Sequence, residues 1–194
     1  MGWAATERFK AVPAPAGLGF VQDLLNTRPR PRLGRADDLL ATVDGAQAWV
    51  DEAIEAWAGQ AGSAVPRVRI RAEDLLGLAE LREQIAALVR GTLTASERLD
   101  GVALRTRVDA GGRVVIEPET PDGDPVAGIV AVEIFRAQQT GVWRRLKTCR
   151  NEACPVAFYD RSPNSAGAWH NVRTCGNVAN LRASRERRRA AATN

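Results

Sequence analysis

Cys149-Arg-Asn-Glu-Ala-Cys154-Pro155 and, further on, Trp169-His170-Asn-Val-Arg-Thr-Cys175-Gly176-Asn177 decide how this chain is read. Together they spell C-x4-C-x15-H-x4-C and hold all three cysteines and the only histidine of the 194 residues. Structural zinc takes four thiolate or imidazole ligands in a tetrahedron, and ligand pairs separated by roughly two to five residues can turn back on one ion. The first pair reads as a knuckle turn with Pro155 stiffening its exit. Two other readings compete. The cysteines can be small buried hydrophobes with His170 a satisfied polar group beside Trp169, or they can belong to a disulfide framework. Against the first stands concentration, because the 148 residues before Cys149 contain neither cysteine nor histidine. Against the second, three cysteines leave one unpaired, and Glu7, Arg8 and Lys10 interrupt any signal-peptide core. The expectation is a structural Zn2+ held by Cys149, Cys154, His170 and Cys175, in a cytoplasmic protein.

Charge divides the chain at the same place. The sequence is +4 overall, but from Trp143 onward there are eleven Lys or Arg against three Asp or Glu, whereas the residues before carry 16 against 20. An acidic front and a basic end imply different partners. At 45% hydrophobic and 26% charged the composition is that of a globular protein, and no run approaches the roughly 18 apolar residues of a membrane span.

Working back from the cysteines, Asp124-Pro125 opens a helix with proline at its first position. Val126, Ile129, Val130, Val132, Ile134 and Phe135 make it apolar nearly all round, which marks it as buried. Before it, Val102–Val108 and Arg113–Ile116 flank Asp109-Ala-Gly-Gly112 and read as a β-hairpin that Pro118 and Pro121 terminate. Leu75, Leu78, Leu81, Ile85, Leu88 and Val89 recur at spacings of three and four and form the clearest helical stripe. Asp44 and Gln47 resemble a capping box for a helix with Trp49, Val50, Ala53, Ile54 and Trp57 on one face, closed by Gly59 and Gly62. Leu18–Thr27 reads as a first helix, whose closing Asp23, Asn26 and Thr27 are either caps or the lining of a small-molecule pocket. Residues 1–17, with Pro13 and Pro15, read as an extended arm or short strand. The fold class is therefore mainly α with a small β-hairpin (α+β), a helical N-terminal domain (1–142) followed by a zinc module (143–194).

The end of the chain resembles a known family. Leu146-Lys-Thr-Cys149, Cys154-Pro-Val-Ala-Phe158-Tyr-Asp160-Arg161-Ser162, Trp169-His170 and Cys175-Gly176-Asn177, followed by an arginine-rich helix, look like the CGNR-type zinc finger. Leu18–Thr27 is similar to the L-D-F-x-N-T-like opening of the helical ABATE domain that accompanies it in bacterial stress-induced transcription regulators. Two positions depart from the family pattern. His170 stands where cysteine is usual, which preserves four ligands. Val178 stands where the motif's last letter, an arginine, is expected, so Arg182 and Arg185 would have to replace it.

The resemblance implies DNA as partner. Val178 and Leu181 are expected to pack inward, while Arg182, Arg185, Arg187, Arg188 and Arg189 present charge to phosphates. The alternative is a non-catalytic module that senses a small-molecule effector or binds a protein through the acidic front, with zinc only a staple. Trp49 and Trp57 would be its contact residues unless they belong to the core, the simpler reading. No Gly-rich phosphate loop, H-E-x-x-H or G-x-S-x-G element is present, and the metal claims the natural general base, so an enzyme is not expected.

Overall fold

The computed structural model describes residues 2–29, 37–61, 66–119, 124–151, 153–178, 181, 185 and 188. It is a mixed α+β fold whose α-helices include α1 (Ala4–Glu7), α2 (Leu18–Leu25), α3 (Val43–Ala61), α4 (Asp74–Arg90) and α5 (Pro125–Gln139). Two small antiparallel sheets complete it, β1 (Leu104–Val108) with β2 (Val114–Pro118), and β3 (Leu146–Thr148) with β4 (Ala157–Tyr159). None of the described helices is long and apolar enough to cross a membrane.

The core is built around α2. All eight of its residues are buried, and it touches α1, α3, α4, α5 and β4. A helix surrounded on every side must be apolar all round, and Leu18, Phe20, Val21, Leu24 and Leu25 supply that. Phe20 packs edge-on to Trp3 with ring centroids 6.4 Å apart and tilts onto Trp49 at 5.8 Å. Complete burial of each such side chain contributes about 1.5–3 kcal/mol. Trp49 and Trp57 are core residues, 4% and 2% exposed, and offer no surface to a partner.

The expected stripe of α4 is borne by Leu78, Leu81 and Ile85, which are buried, with Leu75, Leu88 and Val89 packed at its edge. At α5 the Asp124 carboxylate accepts hydrogen bonds from the Val126 and Ala127 N–H groups, and Pro125 occupies the first turn where its missing donor costs nothing. The start of α3 differs from the expected capping box. Asp44 lies inside the first turn, and the Thr42 hydroxyl accepts from the Gly45 N–H at 3.1 Å. Gln47 instead bonds the Asp51 carboxylate and the Val68 and Ile70 backbone. The hairpin register runs from Leu104↔Pro118 to Val108↔Val114, so Pro118 is a paired residue of β2 and not its terminator.

The first 17 residues are no free arm. Trp3 and Ala5 belong to the main core, and the Arg8 guanidinium reaches the carbonyls of Asn26 and Arg28 just after α2, each at 2.6 Å. Further along, Phe9 and Ala11 share one buried cluster with the three cysteines and Val156, and Trp169 packs against it. Leu146 and Ala157, from the other side of residue 143, lie in the main core. Packing therefore crosses the 142/143 boundary in both directions.

Candidate metal centre and basic face

β3 and β4 form a three-residue ladder, Leu146↔Tyr159 to Thr148↔Ala157, and the Cys149–Cys154 turn joins them. Two backbone bonds shape that turn: Cys149 N–H to the Val156 carbonyl at 2.9 Å and Cys154 N–H to the Asn151 carbonyl at 2.6 Å. At its open end the buried Asp160 carboxylate takes the Lys147 ammonium at 2.7 Å and the N–H groups of Ser162 and Gly167. Burial opposes ionisation of Asp160, but the ammonium and these donors outweigh it and hold the carboxyl well below its ordinary range.

The second ligand pair comes from a wide π-helical turn, Val172–Gly176, capped by the Asn171 side chain, which accepts from the Thr174 N–H. Such turns project a residue off the regular helical path. Here that residue is Cys175, fully buried. Gly176 sits in a tight place, because a Cβ there would lie 3.0 Å from the Trp169 ring and 3.3 Å from Val172.

These elements bring Cys149, Cys154, His170 and Cys175 together, with their four ligand atoms all within 4.8 Å of one another. The imidazole Nδ1 is 3.4 Å from the Cys154 sulfur and 3.5 Å from that of Cys175. A tetrahedron with zinc–sulfur bonds of about 2.3 Å and a zinc–nitrogen bond of about 2.0 Å has S···N edges of about 3.5 Å. The donor chemistry agrees with the geometry. A hydrogen bond from Cys154 lowers the Cys149 thiol well below its ordinary value, while the same interaction pushes Cys154 up. The proton stays on one sulfur because adjacent thiolates repel, and a divalent cation removes that conflict. Four protein ligands close the coordination sphere, the arrangement of a structural site.

The basic residues of the two parts differ in degree: Arg67, Arg69 and Arg90 of the front are exposed without an acidic partner among the described residues, and Lys147 of the metal module is paired with Asp160. Arg28, Arg71, Arg82, Arg98, Arg105, Arg107, Arg113 and Arg136, all in the front of the chain, are ion-paired with Asp or Glu. Arg150, Arg173, Arg185 and Arg188 are exposed, and none of them pairs with an acidic group among the described residues. Arg185 and Arg188 are helical; Arg182, Arg187 and Arg189 lie outside the described residues. Val178 and Leu181 do not pack inward as expected. They are 39% and 57% exposed, and Val172 is 63% exposed beside them.

Sequence reasoning missed how the front grips this module. Asn26 donates through Nδ2 to the Ala157 carbonyl at 3.0 Å and accepts the Ala157 N–H at 2.9 Å. Gln22 adds a bond to the same carbonyl at 3.3 Å. Asp23 accepts from the Thr6 N–H and the Trp49 indole, and Thr27 bonds the Leu24 carbonyl and receives Arg82. The side chains of these residues are buried and engaged with protein partners. Only Thr27 acts as a local cap; Asp23 and Asn26 are buried cross-links. The one signal was two polar residues with apolar neighbours in a helix too short to have a solvent face.

Residues 145–188 match the family model of the CGNR zinc finger. No curated protein matches the chain.

Proposed function

We propose that this protein is a non-catalytic, DNA-binding transcription regulator of the stress-response type, in which a structural zinc shapes the module that carries a basic face. The observation that supports this most is the exposed basic charge carried by the metal module. Eight arginines of the front are ion-paired, although Arg67, Arg69 and Arg90 are not, and in the metal module Arg150, Arg173, Arg185 and Arg188 are all exposed and without acidic partners among the described residues. Unpaired guanidinium groups on one module are the electrostatic footprint of a polyanion site, because each phosphate they neutralise releases condensed counterions. Zinc supplies the order. A module of this size has too little core to fold unaided, and structural sites contribute about 10–16 kcal/mol apparent at neutral pH.

The proposed absence of catalysis rests on the closed donor set: four protein ligands leave no position for a substrate or an activated water. We read Leu18–Thr27 as the opening of an ABATE-type domain, with Asn26 the residue that couples it to the zinc module. Equilibrium binding of the zinc-loaded protein to duplex DNA at several salt concentrations tests the reading. The expectation is a linear fall of log K with log salt. Arg185→Ala with Arg188→Ala should make the slope shallower by about 0.9 for each phosphate that is no longer neutralised. A flat response, or an unchanged slope in the double variant, contradicts it.

A further inference from the structure

We infer, on the reading that the metal module binds DNA, that the outward face of the helical stretch beyond Cys175 reads A·T base pairs in the major groove through Asn177 and Leu181. The backbone is helical at Asn177, Val178, Leu181, Arg185 and Arg188, and all five residues are exposed. At 3.6 residues per turn, Leu181, Arg185 and Arg188 fall about 40°, 80° and 20° around the axis from Asn177. These four form one row, with Val178 at its rim about 100° away. Nearest the metal the row carries a carboxamide and a branched alkyl group. The Asn177 carboxamide meets no hydrogen-bonding partner among the described residues, and Leu181, one turn on, is 57% exposed. Further out come Arg185 and Arg188, exposed and without acidic partners among the described residues.

Guanidinium groups alone fit any polyanion, and an exposed leucine alone fits any apolar surface. The carboxamide narrows the choice. In the major groove adenine presents an N7 acceptor beside an N6 donor, a pair that a carboxamide matches with two hydrogen bonds, and thymine presents a C5-methyl group that an alkyl side chain contacts. Side chains four residues apart on a helix start about 5–6 Å from each other, so Asn177 and Leu181 reach neighbouring base edges. Arg185 and Arg188 lie about 12 and 16 Å beyond Asn177 along the axis. The groove is about 12 Å wide, so these guanidinium groups meet the phosphates that bound it. The metal sets where the row begins, because the ligand Cys175 and the tight Gly176 immediately precede Asn177.

Zinc-loaded full-length protein is titrated by fluorescence anisotropy, at several salt concentrations, with short duplexes of equal length: alternating A·T, the same with uracil for thymine, the same with 7-deaza-adenine for adenine, and alternating G·C. Uracil lacks only the methyl group and 7-deaza-adenine only the N7 acceptor, and both leave the phosphates in place. The wild type should bind A·T about tenfold more tightly than G·C. It should lose about fourfold with uracil for each methyl contact removed, and about fivefold with 7-deaza-adenine. Leu181→Ala should erase the uracil effect alone and Asn177→Ala the 7-deaza-adenine effect alone, with the salt slope unchanged in both. The base analogues act on the wild type, so they decide the matter even where a variant fails to fold. Salt-dependent binding that is equal on all four duplexes overturns the inference and leaves the DNA reading standing, whereas no salt-dependent binding to any duplex overturns both. Binding to vesicles of phosphatidylcholine and phosphatidylserine that Leu181→Ala abolishes, without discrimination among the duplexes, gives the row to a lipid surface and overturns the inference as well.

Discussion

The side chain of Asn26 and the backbone of Ala157 exchange two hydrogen bonds, 2.9 and 3.0 Å long, across 131 residues of sequence. The carboxamide does for β4 what a neighbouring strand would do, donating and accepting in one plane. It joins the most buried helix of the front to the strand that leaves the metal turn. Removing it leaves a buried N–H and a buried carbonyl to desolvate unpaired, with only the Gln22 amide at 3.3 Å to compensate.

Asn26→Ala is therefore expected to cost about 2–4 kcal/mol, the desolvation of two buried polar groups less what Gln22 recovers. Urea unfolding of the zinc-loaded protein reads this directly. A loss under about 0.5 kcal/mol would place the substitution among ordinary surface changes and contradict the cross-link.

Chelation of the metal should act regionally. Phe9 and Ala11 share a buried cluster with the cysteines, so hydrogen exchange should accelerate across 145–178 and around residues 9–11 when zinc is withdrawn. The amides of α3, which packs on α1 and α2, should retain protection. Uniform acceleration throughout would mean that the front cannot fold without the ion.

The Asp23 carboxyl lies in the core between the Thr6 N–H and the Trp49 indole. Burial raises it to about 6, and the hydrogen bonds from Thr6 and Trp49 only partly offset that. The folded state thus holds a proton that the unfolded chain, near 3.8, has released, and stability falls as pH rises through about 6. Between pH 5 and 7.5 the wild type should lose on the order of 1 kcal/mol from this group. Asp23→Asn should flatten that segment of the profile, and an identical slope in both proteins contradicts the assignment.

Val178 is 39% exposed where the family motif carries arginine. Val178→Arg should change stability by no more than about 0.5 kcal/mol. It should tighten DNA binding and steepen the salt slope by about 0.9 if the new guanidinium meets a phosphate. Arg113→Glu serves as the contrast. Arg113 is 81% exposed but already paired with Asp109 on the hairpin, and its reversal should leave DNA affinity unchanged.

What could be read from the sequence followed from local chemistry. Four ligands with metal spacing, the stripe from Leu75 to Val89 and the Asp124-Pro125 cap each carry their meaning within a few residues. What escaped depends on distant partners. Trp3 and Phe9 look like arm residues until α2 and the cysteines are placed against them, and Asn26 looks like a cap until Ala157 arrives. β3 and β4 have three residues each, too few for any periodicity, and are defined by pairing across the metal turn. Val178 and Leu181 obey the helical rule for inward residues, yet among the described residues there is no second layer over them, and they stay exposed.

The most direct test of the metal centre is X-ray absorption at the zinc edge of the purified protein, taken together with its metal content. One zinc per chain is expected, with three sulfur neighbours at about 2.3 Å and one nitrogen at about 2.0 Å, the nitrogen lost in His170→Ala. Well under about one equivalent, or a shell in which oxygen replaces the imidazole in the wild type, would contradict a site closed by Cys149, Cys154, His170 and Cys175.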